Sequence, residues 1–376
     1  MSEHSAIRKE ILKGVHRVVV KVGTSALTGP NGRLSHEAIQ RVVSDVAAVR
    51  HKNLEVILVS SGAIGAGLGE LGVAQRPSQM ARLQAAAAVG QCVLMHEYSQ
   101  AFKNQGLHCA QVLLTNEDLR NRSRYLNIRN TLHTLLAQGV VPVVNENDTV
   151  STQEIQFGDN DRLSALVTQL LGAQLLVLLS DVDGLLRVSG GVRVRVSLVE
   201  SIDKDVESYA WEKSSGRGTG GMKTKLMAAR MVARAGEAMV IANGQTKDVL
   251  QRILQGENIG TLFLPKKGKM AGRKRWIAHF VAPRGRLLVD DGAREALREG
   301  KKSLLPTGIR KVVGDFKEGD TVSVNGLDGQ EFGRGIVSYA SQDLEKIIGK
   351  KTHEFSGILG KKTPDEAIHR DNLVIL

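Results

Sequence analysis

Aromatic side chains are scarce in this chain: two Trp, four Tyr and seven Phe make up 3% of 376 residues. Proteins whose main task is to hold single-stranded nucleic acid stack bases on aromatic rings, so the composition argues against that class. Cysteine is scarcer still. Cys92 and Cys109 stand alone and cannot build a disulfide framework; their apolar neighbours predict two small core residues. No apolar run approaches the roughly 20 residues of a membrane-spanning helix, so no membrane partner is expected. The opening stretch "MSEHSAIRKEILKG" has no apolar signal core, and a cytoplasmic location is the expectation. No His/Cys spacing suggests zinc, and no metal ligand set is assigned to the protein itself. No Ser-His-Asp or Cys-His arrangement is compelling either, and His36 and His51 read as solvated residues of one helix.

What is present is an ordinary globular composition, 42% hydrophobic and 24% charged, in a chain long enough for two domains. The net charge is +12, and its location matters more than its size. Between Pro265 and Pro283 lie six basic residues and no acid, whereas residues 284–376 carry 16 basic and 15 acidic side chains and are nearly neutral. Residues 265–283 therefore read as a basic linker between residues 1–264 and residues 284–376. A contact with phosphate groups is the sharper alternative.

Before that linker, short β-branched runs alternate with longer amphipathic stretches. Strands are expected at 16–22, 55–60, 108–114, 140–145, 174–180, 237–243 and 260–264, and helices at 35–52, 78–104, 122–138, 162–171, 222–236 and 247–254. Near-continuous apolar strands separated by helices predict an α/β fold, a mainly parallel sheet covered by helices on both faces. After residue 283 the pattern changes to short alternating strands and glycine turns, the signature of a small β-rich module. In open α/β sheets ligands bind beyond the carboxyl ends of the strands. The polar, glycine-rich stretches "GTSALTG", "SSGAIGAG", "NEND" and "SDVDG" each follow a strand.

The residue types in these loops suggest a phosphate site beside an acid-lined one. Lys21 ends the first strand and is followed by Gly23, Thr24 and Ser25, a cradle with a point charge beside it. "SSGAIGAG" opens a helix whose first N–H groups face any anion placed there, although glycine-lined helix packing is the blander reading. "SSGRGTGGMKTK" is not a Walker A loop, because Met222 stands where the lysine should be. It nevertheless leads glycines into a helix carrying Lys223 and Lys225, a combination suited to a triphosphate. Asn145 and Asp148 follow the fourth strand, and Asp159, Asn160 and Asp161 precede a helix. Carboxylates next to phosphates must meet cations, and Mg²⁺, lysine and a substrate ammonium are the three available. Such a site can hold an amino acid and ATP together.

"KVGTSAL", "SSGAIGAG", "VVPVVNEND", "FGDND", "LSDVDGL" and "GTGGMKTK", in this order, resemble the glutamate 5-kinases of the amino acid kinase superfamily. "EGDTVSVNGLDGQEFGRGIVSY" resembles the PUA module that many of them carry. The resemblance spans nearly the whole chain. It implies the amino acid kinase fold and ATP-dependent phosphorylation of the γ-carboxylate of L-glutamate, the first step of proline synthesis. It further implies Lys21, Lys225 and Asp161 as catalytic residues, with Asp161 orienting the two lysines. Ser61, Asp148 and Asn160 match glutamate-binding positions. Lys21, Ser180, Asp181 and the run Thr219, Gly220, Gly221, Met222, Lys223, Thr224 and Lys225 match nucleotide-binding positions. ATP as co-substrate, Mg²⁺ riding on its phosphates, feedback inhibition by proline and a homo-oligomer belong to the same implication. The chain departs from the family pattern after "SDVDGL", where "LRVSGGVRVRVSLVES" has Leu186 in place of the usual tyrosine and lacks an Asp-Pro. The alternatives are another amino acid kinase, acting on acetylglutamate, aspartate or UMP, and RNA binding through the PUA module.

Overall fold

The computed structural model describes residues 3–29, 33–150, 160–209, 221–266, 272–279, 281–300, 302–350, 352–360 and 364–376. The chain divides into two compact units, Met1–Lys269 and Met270–Leu376.

The first unit is built on an eight-stranded sheet. Its strands are β1 (Arg17–Val22), β2 (Glu55–Ser60), β3 (Cys109–Leu114), β4 (Val141–Glu146), β5 (Leu175–Ser180), β8 (Leu198–Val199), β9 (Ala238–Asn243) and β10 (Thr261–Phe263), in the order β3-β4-β2-β1-β5-β9-β10-β8. β6 (Leu186–Ser189) and β7 (Val192–Arg195) form a separate hairpin. Every pairing in the large sheet is parallel except β9 with β10. The apolar runs explain the arrangement. "VVVKV" and "LLVLLS" are buried along their whole length, as strands covered on both faces must be. β1 lies between β2 and β5, so the chain leaves β1 toward one edge and later returns to its other side. This is the switch in strand order where α/β sheets open a crevice.

Local chemistry starts the helices. Ser35 caps His36–Arg50, its side chain accepting from the Ala38 N–H. Thr115 and Asp118 form a reciprocal capping box, and Asn121 caps Arg122–Ala137. The helices Ala63–Glu70 and Met80–Asn104 pack at backbone distance. A Cβ on Gly67 would meet the Ala86 carbonyl oxygen at 1.8 Å, and one on Gly90 would meet that of Ala63 at 1.8 Å. Two of the glycine-rich positions in and after "SSGAIGAG" thus serve helix packing. A helix unforeseen in the sequence, Glu3–Lys13, places Arg8 wholly inside the protein. Its guanidinium donates to the carbonyls of Glu257, Ile259, Ser197 and Gly260 at 2.6–3.2 Å. Of the two expected core cysteines, Cys109 is half-buried but Cys92 is exposed. Cys92 sits on the outward face of an amphipathic helix, and apolar neighbours in sequence do not fix which face a helical residue takes.

The second unit holds a five-stranded sheet: β11 (Gly285–Val289), β12 (Ile309–Val313), β13 (Thr321–Asn325), β14 (Glu331–Ile336) and β15 (Leu373–Ile375), in the order β12-β11-β13-β14-β15. Its core includes Leu287, Phe316, Val322, Val324, Phe332 and Leu344. The basic segment expected as a linker contains the helix Gly272–His279, in which Trp276, Ile277 and Ala278 are buried. This helix packs on β14 and β15, and Arg334 donates to the carbonyls of Ala278 and Val281 at 3.1 and 3.3 Å.

Candidate active site

The carboxyl ends of β1, β2 and β4 carry the polar residues that meet Asn160 and Asp161. Lys21 is the fifth residue of β1, and Asp161 lies in the first turn of the helix Asn160–Leu171. The Lys21 Nζ is 2.6 Å from Asp161 Oδ1, and Lys225 Nζ, from the helix Met222–Arg234, is 3.0 Å from Asp161 Oδ2. The Thr224 hydroxyl lies 3.0 Å from the same Oδ2 and 2.9 Å from the Gly221 carbonyl oxygen, and shares one proton between them. All three charged residues are buried: Lys21 is 5% exposed, Lys225 6% and Asp161 0%. Burial alone would raise the Asp161 carboxyl, but the two ammonium groups outweigh it and hold its pKa at about 2, below the ordinary 3.8. Two cations share one buried anion here.

Asn160 sits one residue before the clamp. Its Nδ2 lies 2.8 Å from the Ser60 carbonyl oxygen, 2.9 Å from Ser61 Oγ and 2.9 Å from Asn145 Oδ1, three acceptors sharing its two N–H groups. A carbonyl only accepts, so the contact with Ser60 fixes which end of the amide is nitrogen. The Asn160 carbonyl oxygen is therefore left to face a donor. Ser61 Oγ, accepting from Asn160, keeps its proton for an acceptor. Gly62 takes φ +100° between β2 and the helix Ala63–Glu70, a left-handed conformation that glycine adopts at little cost. It turns the chain at this point, so the helix N-terminus opens beside Ser61. Asp148, beyond β4, is half-buried; burial pushes its carboxyl up, and Arg76 opposes this.

The nucleotide-side candidates form a second group. Ser180 ends β5 and donates to Asp181 Oδ1 at 3.0 Å, and Asp181 is exposed. Gly221, which has no side chain to cap with, is the N-cap of the helix that carries Met222, Lys223, Thr224 and Lys225. Lys223 is exposed and Met222 is half-buried. Thr219 and Gly220, like Asp159, lie outside the described residues. The structure thus brings Lys21, Asp161, Thr224 and Lys225 together, and joins Asn160 to Ser61. No hydrogen bond or ion pair among the described residues ties Ser180, Asp181 or Asp148 to either set. Two neighbours were not foreseen in the sequence. The Ser60 carbonyl anchors Asn160, and Asn243 at the end of β9 donates to Asp183 at 3.0 Å. The Asn-Gly that closes β9 follows a strand like the other motifs and carries the same signal.

The amino acid kinase family model matches residues 16–243, and the PUA domain model matches residues 285–359. Glutamate 5-kinase from Caldanaerobacter subterraneus subsp. tengcongensis is 49% identical over 364 residues, covering 96% of this chain and 98% of that protein. Glutamate 5-kinase from Citrifermentans bemidjiense is 47% identical over 373 residues, covering 98% and 100%. Among solved structures, carbamate kinase from Giardia lamblia bound to AMP-PNP is 16% identical with a TM-score of 0.51, over 67% of this chain and 99% of that one; that likeness concerns the fold alone. The chain belongs to the amino acid kinase family, and within it to the glutamate 5-kinases, with a C-terminal PUA domain.

Proposed function

We propose that this chain transfers the γ-phosphoryl group of ATP to the γ-carboxylate of L-glutamate, giving L-glutamyl 5-phosphate for proline synthesis. The observation that carries this reading is the buried Asp161 holding Lys21 at 2.6 Å and Lys225 at 3.0 Å, with Asn160 adjacent in sequence and bonded to Ser61 at 2.9 Å. The carboxylate that holds both phosphate-handling cations and the acceptor-side amide come from one turn. The attacking carboxylate is already ionised at neutral pH, so no general base is needed. Alignment and neutralisation of spread charge then carry the catalysis.

Lys225 is placed to follow charge on the moving phosphoryl group, and Lys21 to hold the phosphates as they enter. Asp161 keeps the two ammonium groups from repelling each other. On the acceptor side, the Asn160 carbonyl oxygen and the Asp148 carboxylate suit the substrate ammonium, and the Ser61 hydroxyl suits a carboxylate oxygen. Ser180 and Asp181, with the glycine-led turn before Met222, form the nucleotide side.

Mg²⁺ would neutralise phosphate charge. An ion of this kind is usually held by phosphate oxygens and water rather than by an all-protein cage. The exposed Asp181 and Asp183 would meet its waters. The same ammonium and carboxylate contacts suit proline as a feedback inhibitor that competes with glutamate. Homo-oligomerisation and an RNA contact through the PUA domain rest on the family likeness. Among the described residues no helix is long and apolar enough to cross a membrane. A cytoplasmic location fits that finding.

The test is ADP release dependent on L-glutamate, measured beside acetylglutamate, aspartate and UMP as acceptors. Asn160→Ala should raise the KM for glutamate about tenfold or more while leaving the KM for ATP within about twofold, because the residue contacts the acceptor side alone. Turnover with another acceptor but not with glutamate would overturn the reading.

A further inference from the structure

Behind the acceptor side lies a buried contact that neither the reaction nor the sequence motifs account for. Tyr98, on the long helix Met80–Asn104, is 0% exposed, and its hydroxyl lies 2.9 Å from Ser60 Oγ. Its ring is stacked on Phe102 with centroids 6.3 Å apart. Ser60 Oγ is also 3.2 Å from the Ser61 carbonyl oxygen, to which it donates. A serine hydroxyl has a single proton. The Ser61 carbonyl can only accept, so while Ser60 spends its proton there the Tyr98 phenol is left to donate to Ser60 Oγ. The Ser60 carbonyl in turn accepts from Asn160 at 2.8 Å, and Ser61 Oγ accepts from the same amide at 2.9 Å.

We propose that Tyr98 is a positioning residue for the acceptor site, acting through Ser60 to fix the Ser60–Ser61 peptide against Asn160. The inference rests on the assignment of Ser61 and Asn160 to the acceptor. It follows from the order of the contacts. A phenol donor orients a serine hydroxyl, that hydroxyl orients the Ser61 carbonyl, and between them the Ser60 carbonyl and the Ser61 side-chain oxygen accept from the Asn160 amide. Burial raises the Tyr98 pKa further above its ordinary value, so the phenol stays protonated and remains a donor over the whole working range of pH. The helix that carries Tyr98 cannot easily drift. Gly67 and Gly90 lock it to the helix that Ser61 and Gly62 lead into, leaving no room even for a methyl group. The ring itself serves the core, and only the hydroxyl serves the site. The two roles can therefore be separated by removing one oxygen atom.

The experiment is steady-state kinetics of Tyr98→Phe in the full chain, with Asn160→Ala, Ser60→Ala and the double variant Ser60→Ala with Tyr98→Phe alongside. Tyr98→Phe should raise the KM for glutamate about threefold to tenfold, the range one neutral hydrogen bond is worth. The KM for ATP should stay within about twofold, because the nucleotide side is bonded elsewhere. The double variant should match Ser60→Ala alone, since each removes the same link. A KM for glutamate unchanged in Tyr98→Phe, with Asn160→Ala raised as expected, overturns the positioning role and leaves the proposed function standing. A KM for glutamate unchanged in both removes the assignment of the acceptor side, and the inference falls with it. If Tyr98→Phe fails to fold, Ser60→Ala decides: an unchanged KM for glutamate there also refutes the role.

Discussion

Lys225 and Lys21 share a carboxylate, and the tasks proposed for them differ, so truncating one of them tests whether binding separates from chemistry. Lys225 stands in the first turn of a helix whose N-cap is a glycine, so it and the helix end can act on the same anion. A cation aimed at a phosphoryl group in transit is worth most in the transition state. Lys225→Ala should lower kcat by about a hundredfold to a thousandfold, in line with the loss of one such electrostatic contact, with a much smaller change in the KM for glutamate. Single-turnover and steady-state rates measure both; an unchanged kcat with only a raised KM for ATP would assign Lys225 to ground-state binding. The lysines and acids of this cluster were legible in the sequence because each follows a strand end or opens a helix. Their joint use of Asp161 came from family resemblance. The link from Tyr98 to Ser60 left no trace in the pattern, since two residues 38 positions apart are brought together by helix packing alone.

At the scale of elements, one helix start depends on another helix. Val249–Leu254 begins at Asp248, which has φ +53° and offers no side-chain cap. The buried Asp45 of His36–Arg50 faces its first N–H groups instead. Burial, then repulsion from Asp248, raise the Asp45 pKa to about 6, and the Leu250 and Val249 N–H groups and Arg41 only partly oppose this. A carboxyl whose folded pKa lies above its unfolded value binds more protons in the folded state between the two. Its contribution to stability is therefore fully present below about pH 4 and is lost as the pH rises toward 6. Asp45→Asn cannot ionise, so its stability relative to the parent should grow as the pH rises through that window and level off above it. Denaturant unfolding at pH 4, 5, 6 and 7 checks this, and a constant difference would refute it. Element-scale reading succeeded where near-continuous apolar runs ended at polar, glycine-containing loops, as in β1, β2 and β5. It missed Glu3–Lys13, because the face that buries this helix is made partly by Arg8, a residue that reads as solvated until carbonyls more than 180 residues away close around it. The hairpin of β6 and β7 was likewise missed, as its Val and Arg residues alternate on an exposed ribbon that carries no core signal.

For the whole molecule, the question is where the chain can be cut. Each unit has its own apolar core, and every residue assigned to the reaction precedes Leu264. Charge and composition placed a solvated linker over residues 265–283. The packing gives a different expectation, because Trp276, Ile277 and Ala278 are buried in a helix lying against β14 and β15. A chain ending at Lys266 should be folded and should phosphorylate glutamate. A chain ending at residue 280 should carry that helix without its cover and expose Trp276 and Ile277 to water. Exposed apolar patches of this kind promote association, so the longer fragment should be the less soluble one although it retains more of the protein. Turnover, melting temperature and size-exclusion behaviour of both fragments beside the full chain decide the matter. If the fragment ending at Lys266 unfolds cooperatively yet has no turnover, the second unit completes the site, and the separation of chemistry from the PUA domain is wrong.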